Sequence, residues 1–544
     1  MVLILNPVVA FCGGISSHLF FFKRGERHLH PERYIQAFFL AFVVSVVYLM
    51  RFHAVTLGSA VYLTAKIAAL YLSGLYSSLV VFRLFLNPLN KFPGPFWARL
   101  SSFTLVYNVG KKKNGHYHFQ NLHKKYGRIV RIGPNDLSIT DADCVEVVSS
   151  AKSKCTRAPF YSQAHPITSL HVTRDPMEHA QRRRVWSKAF SENALRGYEA
   201  RVQRYNEQLI EQIGASCGQP IDMTKWFNFY SFDVMGDLGF GQSFGMLGSG
   251  GMHWAIQVLQ EGIGIVGCNL PSWAMRLLHA IPKPAGARER FKKFFIQQLD
   301  NRIKLQGKLD ALDISHYLIE HFNNSDPLNQ TQLVPMLQGD SRLIIIAGSD
   351  TTAVTLTHLF YYLTTVTGLQ DRLRQEIAEH TDDDGTLSNR KLQSAPMLNA
   401  CINETLRMHP PVASGAPRKT PTGGVHLRDI WIPANTAIQM PWYVMGRDPE
   451  YFPHPDEFIP ERFSTRSELV THKDAWGPFN VGPYNCIGKN LAYMEIRGLT
   501  SQLLTEFDVS LAPGEDGKEL LYNAKDHFTL GLRPFHLVFS KRKV

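Results

Sequence analysis

The sequence lacks the cysteine patterns of disulfide-stapled and zinc-binding proteins. It contains seven cysteines among 544 residues, an odd number, and no two are spaced as C-x-x-C. Small secreted scaffolds and structural zinc sites depend on regularly spaced cysteine pairs, so neither class fits. We therefore expect a reducing compartment, in which most of the cysteines are small buried apolar residues.

Long runs of a single charge are also absent. The formal net charge is +12, yet no run of five or more basic residues occurs. Such a run would indicate a nucleic-acid-binding arm, so we expect no nucleic acid among the partners. The excess charge is compatible with a solvated basic surface, an anionic membrane face, an acidic redox partner or an anionic cofactor.

The composition is that of a large globular protein whose apolar residues are unevenly distributed. Apolar residues make up 44% and charged residues 19%, without repeats or low-complexity segments. The length exceeds that of an ordinary single domain, which favours a large enzyme. Long segments with helical periodicity predominate, and short strand-like runs occur at residues 128–133 and 136–140, so we predict a mainly α fold with small β-sheets.

Three apolar stretches lie in the first ninety residues, at 1–22, 34–50 and 54–82. Each approaches the roughly 20 residues that cross a bilayer as a helix. A signal peptide is the alternative for the first stretch, but no convincing A-x-A cleavage site follows it. Core helices of a soluble protein are the alternative for all three. We predict a hydrophobic membrane anchor over residues 1–90, with one to three transmembrane helices, and a catalytic body over residues 91–544.

Basic residues flank these stretches on one side of the expected membrane. They lie between the first and second stretches and after the third, where the positive-inside rule places them in the cytosol together with the body. These residues are Lys23, Arg24, Arg27, Arg33, Arg83, Lys91 and Arg99. The proline-rich segment 87–95 would form a stiff hinge between anchor and body.

A glycine-rich loop near the C-terminus presents one cysteine at the start of a helical segment. Cys486 would lie where backbone N–H groups and the helix dipole favour a thiolate, which iron ligation would favour further. Gly482 permits a tight turn, Gly488 allows backbone to approach a flat macrocycle, and Phe479 can pack beside the sulfur. The alternative is a buried structural cysteine in a turn.

An acid and an alcohol interrupt the apolar helical segment at 343–352. Polar groups in such a segment are costly unless they are used. The hydroxyl of Thr351 can bond to the carbonyl of Ala347, opening the helix beside Gly348 into a groove for dioxygen and water, with Asp350 alongside. A simple helix kink is the alternative.

Two further pairs of charged residues have helical spacing. Glu404 and Arg407, at i,i+3, lie on one face, where a surface ion pair is the alternative. His179 and Arg183, at i,i+4, can both point toward an anion. We expect the neighbouring Arg182 and Arg184 to face solvent.

These segments, in this order and spacing, resemble the cytochrome P-450 family from about residue 87 to the end. The cysteine loop is similar to the haem-binding signature F-x-x-G-x-[RH]-x-C-x-G, and residues 347–352 resemble the oxygen-activation motif [AG]-G-x-[DE]-T-[TS]. The loop departs from the signature at Tyr484, where the family usually has a cation that binds a haem propionate. A phenol can still donate one hydrogen bond.

The resemblance implies a cytochrome P-450 fold behind the anchor and a role for each matched residue. Cys486 would ligate the iron of haem b, Thr351 would steady bound oxygen and Asp350 would relay protons. The other haem-binding positions would be His179, Arg183, Arg418, Phe479, Gly482, Tyr484 and Gly488. Glu404, Arg407 and Arg462 would form a buried network that locks the fold around the cysteine loop.

The implied activity is insertion of one atom of dioxygen into a hydrophobic small molecule, by hydroxylation, epoxidation or multistep oxidation. The hinge and residues 125–135 look most like fungal members of secondary metabolism. The resemblance further implies the endoplasmic reticulum membrane, with the body facing the cytosol and membrane lipid around the anchor. We expect substrate contacts in residues 161–170, 241–271, 343–347, 412–415 and 527–530.

No flavin or nicotinamide domain is evident, because the G-x-G-x-x-G match at residues 262–267 follows a helical segment instead of a strand. Electrons would come from a separate NADPH-cytochrome P-450 reductase, with cytochrome b5 as a second candidate donor. One alternative is a haem-thiolate oxidase or isomerase without net oxygen insertion, against which the Asp350–Thr351 pair argues. An alternative of another class is a non-catalytic membrane haem-binding protein.

Overall fold

The computed structural model describes residues 6–165, 167–281, 286–308 and 312–542. The first five residues of the first apolar stretch, and Pro166 in one expected substrate segment, lie outside this part of the chain. The described chain is mainly helical with small β-sheets, which confirms the predicted fold class.

The helices in chain order are α1 (Pro7–Ser16), α2 (Pro31–His53), α3 (Leu57–Val81), α4 (Phe96–Leu100), α5 (Phe103–Val109), α6 (Gly115–Tyr126), α7 (Asp143–Ser149), α8 (Pro176–Ala189), α9 (Glu192–Ala215), α10 (Met223–Phe240), α11 (Met246–Ser249), α12 (Trp254–Ile263), α13 (Ser272–Ala280), α14 (Ala287–Lys304), α15 (Ile314–Asn323), α16 (Pro327–Ala347), α17 (Ser349–Thr365), α18 (Leu369–Glu379), α19 (Asn389–Leu392), α20 (Pro396–Met408), α21 (Trp442–Met445), α22 (Lys489–Glu506) and α23 (Lys518–Tyr522).

The strands are β1 (Ile129–Gly133), β2 (Asp136–Ile139), β3 (Thr156–Arg157), β4 (Pro220–Asp222), β5 (Arg418–Lys419), β6 (Val425–Leu427), β7 (Ile430–Ile432), β8 (Ala437–Gln439), β9 (Phe507–Leu511), β10 (Lys525–Asp526), β11 (Leu530–Gly531) and β12 (His536–Lys541). They form sheets of order β1-β2-β8-β5-β3, β4-β12-β9, β6-β7 and β10-β11. In the first sheet, β2 and β8 are parallel and the other neighbouring strands are antiparallel.

The N-terminal helices fit the predicted membrane anchor. Within the described ranges, Pro31–His53, Leu57–Lys91 and Pro327–Thr365 are long and apolar enough to cross a membrane by length and composition, and Pro7–Phe22 is a shorter apolar helix. Only 11% and 6% of the first two apolar windows are buried, against 67% of the third. The third is therefore a core segment of the body.

Two glycines allow α1 and α3 to cross in backbone contact. A Cβ on Gly14 would lie 2.0 Å from the carbonyl oxygen of Tyr71, and one on Gly74 would lie 2.1 Å from that of Phe11. Small residues at such a crossing let the two helix backbones approach closely.

The core of the body is built on α10 and α17, which are buried on nearly all faces. Every residue of α10 from Phe229 to Phe240 is buried, as are the residues of α17 from Thr352 to Phe360. Their polar side chains bond inside the protein instead of facing water, as Asp233 does with the N–H of Leu247 and Thr357 with the carbonyl of Ala353. These two helices pack against α16 and α22. The candidate oxygen segment lies where α16 ends and α17 begins, and α22 follows the cysteine loop.

The hinge is fastened to the body. The N–H of Arg131 on β1 donates to the carbonyl of Pro93 at 2.7 Å, and a Cβ on Gly94 would lie 2.2 Å from the carbonyl oxygen of Arg131. The side chains of Leu89 and Phe92 are buried in the core beside the first sheet. The chain therefore leaves the anchor along a fixed path.

Arg182 on α8 differs from the sequence prediction, because it is buried instead of facing solvent. Its Nε donates to Oδ2 of Asp340 on α16 at 2.5 Å, and Trp186 Nε1 donates to the same oxygen at 3.0 Å. The N–H of Leu170 donates to the other oxygen of Asp340 at 2.8 Å. Arg184, in contrast, is exposed as predicted. This cluster fixes α8 against α16.

We predict that Asp340→Asn lowers the free energy of unfolding by about 3 to 5 kcal/mol, because it leaves the buried Arg182 guanidinium without its counter-ion. Arg184→Gln on the same helix is the matched control and should stay within about 0.5 kcal/mol of the wild type. Denaturant unfolding followed by circular dichroism measures both. Equal stability of the two variants would contradict the prediction.

Candidate active site

The cysteine loop is a sharply folded segment that ends at the start of α22. The N–H of Cys486 donates to the carbonyl of Phe479 at 2.8 Å, which closes the loop. Gly482 has a φ of +66°, and a Cβ there would lie 1.9 Å from the carbonyl oxygen of Ser149, so only glycine fits. Gly488 is different: a Cβ there would meet only Phe190, at 3.7 Å. Protein packing therefore does not require glycine at position 488, and the space beside this residue is open to a flat ligand.

Cys486 lies in a polar environment that the other deeply placed cysteines do not share. Burial raises the pKa of its thiol, while the backbone N–H groups of Gly488 and Lys489 and the charge of Arg183 oppose that rise. The residue is exposed, although enough protein surrounds the sulfur to disfavour the thiolate. Cys144 and Cys401 are buried, and their thiol pKa values are raised much further. Cys486 therefore differs from the buried thiols in having donors and a cation that favour the thiolate needed for ligation.

Tyr484 lies between two arginines beside this loop. The guanidinium carbons of Arg157 and Arg418 lie 4.7 and 4.9 Å from the centre of its ring, and the ring of His179 lies 4.5 Å away. Cation–π contacts on both guanidinium groups hold the phenol where the family usually has a cation. Arg157 is a residue that the sequence reasoning missed.

The same cluster contains buried donors without partners. Arg418 and His179 are each 2% exposed, yet Nε and Nη1 of Arg418 and Nε2 of His179 make no hydrogen bond within the described ranges. No described carboxylate forms an ion pair with Arg157, Arg183 or Arg418. Buried charged donors are normally satisfied, so this arrangement fits a bound anion such as a pair of carboxylates. The residues present therefore fit haem, whose propionates supply that charge.

The two residues predicted on one face of α8 reach different parts of the loop. His179 contacts Tyr484, whereas Arg183 donates from Nη1 to the carbonyl of Asn485 at 2.6 Å and from Nη2 to its side-chain oxygen at 2.5 Å. These contacts hold both Tyr484 and Asn485 of the loop against α8. The position of the sulfur depends on this packing.

The candidate oxygen segment is a break between α16 and α17. Thr351 Oγ1 donates to the carbonyl of Ala347 at 2.9 Å, the bond expected from the sequence, and Thr352 Oγ1 donates to the carbonyl of Gly348 at 3.1 Å. A Cβ on Gly348 would lie 2.4 Å from the sulfur of Met235, so the thioether on α10 packs directly against the break and would have to move for any larger residue. Burial raises the pKa of Asp350 to about 7. This carboxyl can therefore both hold and release a proton near neutral pH.

The structure brings Glu404, Arg407 and Arg462 into one fully buried network. Arg407 donates to both oxygens of Glu404 at 2.7 Å, and Arg462 Nε donates to Oε1 at 3.1 Å. The N–H of Ile459 donates to the same oxygen at 2.9 Å. The arginines also donate to carbonyl groups between residues 446 and 469. The alternative of a surface ion pair does not apply.

The network is connected to the cysteine loop through Asn403, which precedes Glu404 on α20. Asn403 accepts a hydrogen bond from the Tyr493 hydroxyl on α22 at 2.5 Å, and the Tyr493 ring lies 5.4 Å from that of Phe479. Trp476 Nε1 donates to the carbonyl of Asn403 at 3.2 Å. The buried charges and the start of the loop therefore belong to one packed unit.

Two of the expected substrate segments meet in an aromatic cluster. Phe160 stacks on Phe528 at 5.5 Å, and His171 contacts the rings of Tyr161 at 5.3 Å and Phe528 at 5.5 Å. Burial and the nearby arginines lower the pKa of His171 to about 3, so its ring is neutral. Phe528 has a φ of +85°, a strained conformation for a non-glycine residue, and such strain is concentrated at functional sites.

The fold and site together define a mainly helical protein with an exposed thiol at a helix start, near a cluster of buried cations that no described carboxylate neutralises. The family model of cytochrome P450 matches residues 93–539. The chain therefore belongs to the cytochrome P450 family, which implies a haem-thiolate cofactor.

Relatives match over nearly the whole chain. The cytochrome P450 monooxygenase lcsK of Purpureocillium lilacinum is 44% identical over 541 residues, covering 99% of this chain and 98% of the relative. Monooxygenase notG' of Aspergillus versicolor is 40% identical, covering 97% and 96%. Tryprostatin B 6-hydroxylase of Aspergillus fumigatus is 38% identical, covering 99% and 98%. The predicted enzyme class is confirmed: this is a cytochrome P450 monooxygenase of the fungal secondary-metabolism type.

Proposed function

We propose that residues 1–90 anchor the protein in the endoplasmic reticulum membrane and that residues 91–544 form a cytosolic haem-thiolate monooxygenase domain. The observation that carries the catalytic part of this proposal is Cys486, an exposed thiol at the start of α22 beside the backbone N–H groups of Gly488 and Lys489 and the charges of Arg183 and Lys489. Cys486 would be the axial ligand of haem b. When bound, the haem supplies the activation of dioxygen.

The cysteine loop and its surroundings would hold the cofactor. Arg157, Arg183, Arg418 and His179 would bind the propionates, and the hydroxyl of Tyr484 would donate one further hydrogen bond. The remaining predicted positions shape the loop: Gly482 turns it, Gly488 leaves its face open and Phe479 packs beside it. Glu404, Arg407 and Arg462 would keep that loop in place.

Asp350 and Thr351 would control the supply of protons. A carboxyl whose pKa is about 7 is well matched to proton transfer at neutral pH. The Thr351 hydroxyl donates to a backbone carbonyl, so its oxygen remains free to accept a hydrogen bond from water in the groove.

The substrate would be an apolar small molecule that bears a ring, bound against the aromatic cluster of residues 160, 161, 171 and 528. The neutral His171 and the absence of charge on the three other rings favour such a ligand. One relative is named for the hydroxylation of tryprostatin B, and we propose a hydroxylation here too.

Electrons would come from NADPH-cytochrome P-450 reductase, with cytochrome b5 as a second donor. Arg184, Lys188 and Lys489 are exposed next to the cysteine loop. Basic residues at this position suit an acidic redox partner, because complementary charge steers association.

We predict that the reduced, carbon-monoxide-treated wild type shows a strongly red-shifted Soret band that is lost in Cys486→Ser, because only a thiolate ligand gives that shift. Cys217→Ser is the matched control, since this half-buried thiol lies outside the site and should leave the band unchanged. Difference spectra of microsomes measure all three. Survival of the band in Cys486→Ser would show that another residue binds the iron.

We predict that Thr351→Ala keeps its haem but diverts electrons from product to hydrogen peroxide, because the hydroxyl that positions water in the groove is gone. Thr365→Ala, at the exposed end of the same helix, should couple like the wild type. The measurement is the ratio of product and peroxide formed to NADPH consumed with purified reductase. Unchanged coupling in Thr351→Ala would exclude this residue from proton control.

We predict that turnover falls as the pH rises through about 7, since Asp350 is a proton donor only while its carboxyl is protonated. Asp350→Asn should lower turnover by about 10²-fold and lose this dependence, because an amide does not titrate. Product formation with excess reductase between pH 6 and 8 provides the test. The same pH profile in the variant would assign the titration to another group.

A further inference from the structure

A cavity of about 1620 Å³ lies between the anchor and the body, apart from the cysteine loop. The anchor contributes residues 31–45 of α2 and residues 64–79 of α3, together with residues of α1 and the following turn. The body contributes the segments 132–137, 158–163, 269–273 and 433–439. Of the aromatic cluster proposed above for the substrate, Phe160 lines this cavity, whereas Tyr161, His171 and Phe528 do not.

The cavity is elongated and apolar along the two long helices. Its lining extends over about 15 residues of each helix, roughly 21 Å at 1.5 Å per residue, which exceeds the roughly 15 Å depth of one bilayer leaflet. Side chains that face it there include Ile35, Phe38 and Phe42 of α2 and Ile67 and Leu75 of α3. Its dimensions and chemistry therefore fit hydrocarbon chains.

The end near the α1–α2 loop is basic. Four basic side chains, of Lys23, Arg27, Arg83 and Lys419, and two acidic ones, of Glu26 and Asp136, line the cavity. Lys23 lies over the ring of Phe82, next to Arg83 in the chain, and Arg27 lies over the ring of Phe21. No carboxylate forms an ion pair with Lys23, Arg27 or Arg83 among the residues that the structure describes.

Glu26 does not neutralise these cations, because the body already pairs with it. Arg174 donates to both of its oxygens at 2.6 Å, and Lys419 donates to Oε1 at 2.8 Å. Burial opposes its ionisation, but the two cations lower the pKa of Glu26 to about 2. Glu26 therefore fastens the loop to the body and is not an ion-pair partner of Lys23, Arg27 or Arg83. Arg83 donates to the carbonyl of Leu100 and feels the charge of Asp136, and it lines the cavity together with Lys23 and Arg27.

We propose that this cavity binds one anionic membrane phospholipid. Its head group would contact Lys23, Arg27 and Arg83, and its acyl chains would lie along α2 and α3. Basic pockets between transmembrane helices on the cytosolic side are suited to anionic head groups, and Arg and Lys both bind phosphate strongly. The inference rests on the membrane placement proposed above.

The position of the cavity connects the lipid to the candidate active site. Pro417 and Lys419 line it, while Arg418 between them contacts Tyr484 on the other side of the same strand. Ala158 and the residues that follow it also line the cavity, directly after Arg157. The segments that would contact the lipid are therefore the same ones that carry Arg157 and Arg418 of the cation cluster.

The test is native mass spectrometry of the full-length protein in mild detergent, after exchange with phosphatidylserine or phosphatidylcholine. We expect one phosphatidylserine per chain to be retained and phosphatidylcholine to be lost. Lys23→Gln/Arg27→Gln should lower the retained fraction at least tenfold. Arg24→Gln/Arg33→Gln is the matched control: it removes the same charge from the same loop and helix start, but neither residue lines the cavity.

Filling the cavity provides a second, charge-independent test. Ala68→Trp on α3 should abolish retention of phosphatidylserine while the carbon-monoxide difference band persists, which shows that the body is folded. Full retention in Ala68→Trp, equal loss in the two double variants, or equal retention of both lipids would overturn the proposal. Displacement of phosphatidylserine by an apolar substrate would assign the cavity to that substrate instead. Extraction of the wild type from microsomes by alkaline carbonate would refute the membrane placement itself.

Discussion

Glu404 carries a fully buried negative charge that two arginines share, and the position of the cysteine loop depends on this interaction. Removing such a group leaves two guanidinium groups without compensation in an apolar interior, so the network forms as a whole or not at all. Through Asn403 and Tyr493 the same unit reaches Phe479, where the loop begins. A single charge cluster therefore determines where α20 and α22 meet, and hence where the thiol lies.

A second electrostatic constraint concerns buried positive charges. The body concentrates buried cations beside Tyr484 and provides no described carboxylate to pair with them. Such a cluster is unfavourable in the empty protein, since like charges and unsatisfied donors are held together without water. A cofactor that brings carboxylates would relieve this cost, and its binding would then stabilise the folded form of this region. Arg157 supplies a cation beside Tyr484, where the family usually has one.

Short-range geometry made much of the site predictable from the sequence. The bond from Thr351 to Ala347 and the pairing of Glu404 with Arg407 are set by helical spacing, and both pairs contact as expected. The placement of Arg462 needed the resemblance to a family, because it lies 58 residues from its partner Glu404.

The remaining features could not be predicted from the sequence, because they depend on packing between residues that are distant in the chain. Three consecutive arginines on α8 do not reveal which one faces the core, and Arg182 is buried because Asp340 lies on a helix distant in sequence. Arg157 belongs to no motif and becomes significant only through the sheet that brings β3 beside β5. The second and third apolar stretches correspond to α2 and α3, whose ends differ by a few residues because caps and prolines, not hydropathy, set helix ends.

The contact of Glu26 with Arg174 and Lys419 joins the N-terminal helices to the body, so this segment is a structural part of the enzyme in addition to its proposed role as a membrane anchor. A soluble form cut at the hinge would lose the acid that neutralises two basic side chains, and the apolar wall of the body would be exposed to water. Such a truncated enzyme would present a different surface charge, a greater tendency to aggregate and a less constrained strand behind the cofactor cluster. Comparisons of truncated and full-length forms would therefore measure loss of an internal contact as well as loss of the membrane.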